Sequence, residues 1–265
     1  MHPICFQLGV RPIYWFGVLM ALAFMAVITH WNRLALRTDR PRGFGADLGF
    51  WLILAGILGA RLAHVLANLP EFSAHPLEIL RIDHGGLVYY GGFIGGGLAA
   101  LLFARIRGEP LWALADFTIT GIPLGHALGR IGCFLNGCCY GAATNLPWGV
   151  HFPPSHETHG VAVHPTQLYE TAFNLALYGL VLWFYLRRRR AGAPAGRVLA
   201  LYLLLYPPFR CLVEFLRGDA RLPGLGLNVA QDVSLALFAA GVIVWFLRGR
   251  RRGAPDGGQA EDSNQ

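Results

Sequence analysis

Seven stretches of this chain are long and apolar enough to cross a lipid bilayer, and that segmentation constrains the fold more than any motif. A crossing helix needs about 20 apolar residues, and runs of that kind cover 13–31, 47–69, 86–103, 111–132, 168–186, 198–215 and 229–247. Charge is correspondingly scarce, at 14% of the 265 residues, where a soluble domain carries about a quarter. The expected fold is therefore an all-α membrane protein. Its seven transmembrane helices occupy residues 1–247, and a basic, then disordered, cytoplasmic tail follows over 248–265. Pro123 is expected to kink the fourth span, and Pro207 with Pro208 to bend or break the outer part of the sixth.

The arginines set the orientation, because basic residues stay on the cytoplasmic side. The chain has no lysine, and fifteen arginines fall in segments that the spans assign to one side: Arg33, Arg37, Arg40, Arg42, Arg105, Arg107, Arg187–Arg190, Arg197, Arg248 and Arg250–Arg252. Arg11, Arg81, Arg217 and Arg221 fall on the other. The N-terminus is expected outside and the C-terminus inside. A net charge of +7 would suit a nucleic-acid binder only on a polar surface, so no nucleic-acid partner is expected. The opening MHPICFQLGVRP lacks a basic leader, and no cleavable signal is expected.

Arg61, Arg130 and Arg210 remain. They lie within or at the ends of spans, where arginine is costly unless it faces protein, water or an anion. The orientation brings all three to the outer half, with HGGLVYYGGFIGG (84–96) and HPTQLYE (164–170). A guanidinium is always charged and its planar fork grips phosphate bidentately, so a lipid headgroup fits. Internal pairing is the alternative: Arg210 with Glu214 one helical turn on, and Arg61 with Glu170 or Asp83.

Residues 129–141 read GRIGCFLNGCCYG and hold three of the five cysteines. The spacing of Cys133, Cys138 and Cys139 matches no common zinc or CxxC pattern, and packing as small apolar groups is the plainer reading. His151, His156, His159 and His164 lack partners at metal-ligand spacing and read as solvated loop histidines. Neither a metal nor a cofactor is expected. Asp116 reads as a structural hydrogen-bonding group, and Trp15, Trp31, Trp148 and Trp245 as interfacial anchors.

YWFG (14–17), GGLVYYGGFIGG, GR-x-G…N-G…G across 129–141, HPTQLYE and FRCLVEFLR (209–217) occur in that order on the seven-span frame. In these the chain resembles the prolipoprotein diacylglyceryl transferase family over nearly its whole length. The resemblance implies an enzyme of the bacterial inner membrane with its site facing the outer half of the bilayer. Such an enzyme moves the diacylglyceryl group of phosphatidylglycerol onto the lipobox cysteine thiol of an exported preprolipoprotein, releasing glycerol-1-phosphate. The family's essential arginines fall on Arg130 and Arg210, and its central asparagine and glycine on Asn136 and Gly141. Its second-span arginine falls on Arg61 and its sixth-span acid on Glu214. His164, Gln167, Tyr169 and Glu170 match the motif before the fifth span.

The chain departs from the better-known members at Tyr90 (histidine there), Phe16 (tyrosine), Cys133 (asparagine) and Cys138 (glutamate). These departures leave the thiol-activating group open. Tyr90 is assigned to orienting phosphate or thiol, and an interfacial aromatic is the competing role. His84, His164 and Glu170 are candidate bases or orienting groups, and Gly91 and Gly92 candidate backbone contacts to the headgroup. Two other functions stay open: a membrane thiol–disulfide oxidoreductase using the three cysteines, and a non-catalytic lipid binder or transporter.

Overall fold

The computed structural model describes residues 3–9, 11–81, 85–217 and 228–249. Asp83, His84, Arg221 and the tail from residue 250 lie outside the described residues. A hairpin of β1 (Ile4–Leu8) and β2 (Arg11–Tyr14) leads into α1 (Trp15–Leu36) and α2 (Phe44–Ala67). A short α3 (Leu69–Ala74) and a 3-10 turn (Pro76–Leu80) precede α4 (Tyr89–Arg107), α5 (Leu111–Ile119) and α6 (Ile122–Asn136). After β3 (Val150–His151) and β4 (Ala162–Val163) come α7 (Thr166–Arg190), α8 (Arg197–Leu216) and α9 (Val229–Leu247).

Five of these helices, α1, α2, α4, α8 and α9, are long and apolar enough to cross a membrane. On α2, Leu54, Leu58, Leu62 and Leu66 recur one turn apart and are exposed, as a lipid-facing stripe would be. The opposite face of α2 is small. A Cβ on Gly59 would strike the Gly91 carbonyl, and one on Gly95 the Ala55 carbonyl, so α2 and α4 meet backbone to backbone. This packing falls to Gly91, Gly92 and Gly95, while Gly97 has open space beside it.

The expected fourth span is two helices. Pro123 does not kink a continuous helix but stands in the first turn of α6, where its missing N–H costs nothing. The break admits α1: any side chain on Gly121 would collide with the Trp31 indole, and Trp31 Nε1 donates to the Thr118 carbonyl at 3.2 Å. Trp31 is 3% exposed, so it fills the interior and is not the interfacial anchor its type suggested. The sixth span is not broken. Helix α8 runs unbroken through Pro207 and Pro208, with Gly241 of α9 packed against Leu203 and Leu204 beside it.

Helix α7 is organised the other way round from a lipid-facing helix. Its buried residues include Thr166, Gln167, Glu170, Thr171 and Asn174, spaced three and four apart and so on one face. Leu168, Leu175 and Leu180 are exposed. Each buried polar group must find a partner: Thr171 Oγ1 donates to the Gln167 carbonyl at 2.9 Å and Asn174 Nδ2 to the Glu170 carbonyl at 2.8 Å.

The arginine-rich ends gather at one end of the bundle. Arg40 grips Glu109 through Nε and Nη2 at 3.1 and 2.9 Å and lies over the rings of Phe117 and Phe44. Arg189 donates to the Thr38 carbonyl, and Arg248 to that of Ala195. Asp116 accepts from the backbone N–H groups of Gly196 and Leu199 at 2.7 and 2.8 Å, capping α8 as a carboxylate at a helix N-terminus should. Near this end sits the apolar core, with Leu34, Phe44, Leu48, Phe103, Leu114, Phe117, Val181 and Val198.

Candidate active site

Helices α6 and α8 carry the same device. Each presents a ring and, one turn later on the same face, an arginine: His126 then Arg130 on α6, Tyr206 then Arg210 on α8. The His126 and Tyr206 rings meet with centroids 5.3 Å apart, and both guanidinium charges act on both rings. Between them α7 places Glu170, 1% exposed. Its Oε2 lies 2.9 Å from Arg130 Nε and 3.7 Å from His126 Nε2. Tyr89, the first residue of α4, is exposed on the chain's surface yet interacts electrostatically with Arg130, Arg210 and Glu170.

The Arg130–Glu170 pair is close but oblique, and neither Arg130 Nε nor Glu170 Oε2 has a well-directed hydrogen bond. The terminal NH2 groups of Arg130 make no hydrogen bond among the described residues. Arg210 pairs through Nη1 with Glu214, whose other oxygen accepts from Asn228 Nδ2 at 3.2 Å. Arg217 approaches the same carboxylate at 3.9 Å, and Asn228 also caps α9 in a capping box with Gln231. Each catalytic arginine candidate is thus aimed by one carboxylate.

Arg61 is a correction. Its five N–H bonds are matched by five backbone carbonyls: Ile79 at 3.0 Å from Nε, Gly85 and Gly86 at 2.7 and 3.2 Å from Nη1, and Glu78 with Arg81 from Nη2. Its plane also covers the Phe72 ring. A guanidinium offers five donors and no more, so Arg61 has none left for a phosphate, and its partner is not Glu170. It ties the segment after α3 to α2. Gly91 and Gly92 both turn their vacant side towards α2, against Gly59, Ala63 and Gly56, so close helix packing accounts for both as glycines.

Gly141 has a structural reason of its own. Its N–H donates to the His164 carbonyl at 2.8 Å, the next N–H to that of Leu216 at 2.7 Å, and a Cβ would overlap His164 and Leu216. Three segments are stitched together there. The His164 imidazole lies 3.3 Å from the Tyr169 hydroxyl, which accepts from Trp148 at 2.8 Å. Tyr90 touches the Tyr89 ring and makes no side-chain hydrogen bond among the described residues. His156 is not a solvated loop group: it stacks on Phe152 at 4.6 Å and contacts the Gly137 carbonyl at 2.8 Å.

Asn136, exposed at the end of α6, lines a groove of about 490 Å³ whose other walls are Pro12, Ile13, Tyr14, Phe16 and Gly17. One amide thus borders an apolar channel between the hairpin and α6. Beyond it, Cys133, Cys138 and Cys139 converge, their sulfurs all within 4.8 Å of one another. Hydrogen bonds from Cys133 and Cys138, and the charges of Arg130 and Arg217, hold the Cys139 thiol well below the usual thiol range against the effect of burial.

Sequence reasoning missed His126, Tyr206 and Tyr89. For the first two a signal existed, since each stands four residues before an arginine already singled out. For Tyr89 none did, because Tyr90 beside it is the same residue type.

Comparison with known proteins agrees with this geometry. A sequence model of the family described as prolipoprotein diacylglyceryl transferase matches residues 3–247. A phosphatidylglycerol–prolipoprotein diacylglyceryl transferase of Synechococcus elongatus is 37% identical over 96% of this chain and 90% of its own length. The proteins of the same name from Bordetella avium and Cupriavidus necator are each 38% identical, over 94% and 95% of this chain and 95% and 94% of theirs. By helix composition, by the paired arginines and by likeness over nearly its whole length, the chain belongs to the prolipoprotein diacylglyceryl transferase family.

Proposed function

We propose that this membrane enzyme transfers the diacylglyceryl group of phosphatidylglycerol to the lipobox cysteine thiol of exported prolipoproteins. One observation carries the reading beyond family membership: two carboxylate-aimed arginines, Arg130 and Arg210, share the pair of rings His126 and Tyr206. In the reaction the acceptor sulfur attacks the glyceryl carbon bonded to the phosphate oxygen. The C–S bond forms as the C–O bond breaks, and the electron pair leaves with glycerol-1-phosphate. Charge therefore grows on the phosphate. Guanidiniums already oriented by Glu170 and Glu214 stabilise that charge more in the transition state than in the ground state.

The acceptor must lose its proton, because a free thiol with a pKa near 8.5 is mostly protonated at neutral pH. The arginine potential favours the thiolate. Tyr89 and Tyr90, at the start of α4, orient phosphate or thiol, and His164 or His84 takes the proton. The groove at Asn136 and Phe16 receives the glyceryl end of an acyl chain, with Asn136 donating to the ester or phosphate.

Seven crossings complete the reading: the five apolar helices, the α5–α6 pair and α7. The arginine-rich end is cytoplasmic, and the site lies towards the outer leaflet of the bacterial inner membrane. The gathering of Arg40, Arg189 and Arg248 at one end supports that orientation. The family match does not favour the thiol–disulfide oxidoreductase.

Complementation of cells depleted of their transferase, scored by preprolipoprotein processing, tests the reading. Rescue by the unmutated chain, lost in Arg130→Ala and kept when Cys133, Cys138 and Cys139 are all alanine, is expected. No rescue by the unmutated chain would favour a lipid binder or transporter instead.

A further inference from the structure

The three cysteines beside Arg130 are brought together by a specific backbone device. Helix α6 ends at Gly137, whose φ is 81°. The Gly137 N–H returns to the Phe134 carbonyl at 3.2 Å and the Cys138 N–H to that of Cys133 at 3.1 Å. This is the paired hydrogen bonding of a Schellman end, which sets the side chain one residue past the glycine against the one five residues before it. Here both are cysteines. Cys139 then adopts φ 63°, a left-handed conformation that non-glycine residues seldom take, and the third sulfur falls within 4.8 Å of the other two.

The turn is held from outside. The Cys138 carbonyl accepts from Gln167 Nε2 at 2.8 Å and the Cys139 carbonyl from Thr166 Oγ1 at 2.7 Å, and both donors are fully buried. The Gly137 carbonyl meets His156 at 2.8 Å. Cysteines serving only as small apolar filler would need neither a left-handed residue nor this bracing. The thiols are partly exposed, so an ion has access. Metal binding itself displaces the thiol protons, since the thiolate is the form that binds metal.

We propose that Cys133, Cys138 and Cys139 form a trithiolate site for a thiophilic d10 metal ion, cuprous copper or zinc. Metal–sulfur bonds of about 2.3 Å put three sulfurs roughly 4 Å apart, inside the 4.8 Å that bounds this group, and thiolates select these ions. Among the described residues no histidine, carboxylate or further cysteine joins the group. A cuprous ion would therefore be three-coordinate, and zinc would keep one position for water. The linear spacing gave no hint of this, because the site depends on the turn and not on a repeat.

The test uses the full-length protein, reduced and metal-free, in nanodiscs. Cu(I) and Zn(II) are titrated in separate arms against chromophoric chelators, and cysteine alkylation is followed by mass. One equivalent of one ion should bind to the unmutated protein and to a Cys5→Ser/Cys211→Ser variant, and none to Cys133→Ser/Cys138→Ser/Cys139→Ser. In the unmutated protein the bound ion should block three alkylations, a readout that does not depend on the triple variant folding. Binding in neither arm, or alkylation unchanged by either ion, overturns the proposal. So does recovery of two of the three thiols as a disulfide that resists gentle reduction.

Discussion

Arg61 is buried and Arg130 partly buried in the same membrane bundle, and they differ in what surrounds the guanidinium. Around Arg61 every N–H is spent on a backbone carbonyl. The charge is dispersed over dipoles that cannot move away, and the group acts as a clamp. Around Arg130 one buried carboxylate takes one edge of the fork and leaves the terminal nitrogens open. A fully hydrogen-bonded arginine is scaffold, whereas one aimed by a single acid still has donors for an incoming anion. Sequence position does not separate the two, since both sit where a phosphate was expected.

Replacing both residues is the sharpest way to break that comparison. Arg130→Ala should cut the transfer rate per folded molecule by about 100- to 1,000-fold, the usual loss when one preorganised charge stabiliser goes. Arg61→Ala should leave that rate nearly unchanged and lower unfolding stability in detergent by roughly 2–4 kcal/mol, because buried carbonyls lose their donors. Transfer abolished in Arg61→Ala with an unshifted melting curve would return Arg61 to the substrate site.

A smaller effect separates the glycines. Gly91→Ala forces a methyl into Gly59 and Ala63 and should destabilise by about 1–3 kcal/mol through overpacking. Gly97→Ala faces open space and should be neutral or slightly stabilising, by up to about 1 kcal/mol of helix propensity. Equal melting shifts in the two variants would show that the α2–α4 contact is not where the structure places it. The smallest expected difference lies at the start of α4. Tyr89→Phe should cost about tenfold in transfer, the loss of one hydrogen bond, and Tyr90→Phe less. The reverse ranking in a phosphatidylglycerol-dependent assay would make Tyr90 the orienting hydroxyl.

Much of the architecture was legible beforehand, and for stated reasons. Apolar run length marked α1, α2, α4, α8 and α9, and the four-residue spacing of Arg210 and Glu214 kept their pairing in view as the alternative to an anionic ligand. Asp116 read as structural and caps α8. Local rules failed where a neighbouring element answered them. Pro207 and Pro208 sit inside an intact α8, and Trp31 is buried because Gly121 opens a gap for its ring. Helix α7 shows the limit of hydropathy, since its polar residues face the interior, where its own carbonyls, the cysteine turn and Arg130 supply their partners.

By itself the sequence determined the solvent and the order of the elements, through hydrophobic run length and arginine distribution, because these depend only on the chain's own composition. It also determined the family, through five motifs in fixed order. Only the tertiary structure decided which arginine has its donors spent on carbonyls, which glycines pack helices, and that three cysteines of unfamiliar spacing share one point. Those outcomes depend on partners contributed by distant segments: Glu170 for Arg130, five loop carbonyls for Arg61, Gly59 for Gly91, and Thr166 with Gln167 for the cysteine turn. Hydrogen-bond saturation and close approach belong to pairs of segments, and no single stretch encodes them.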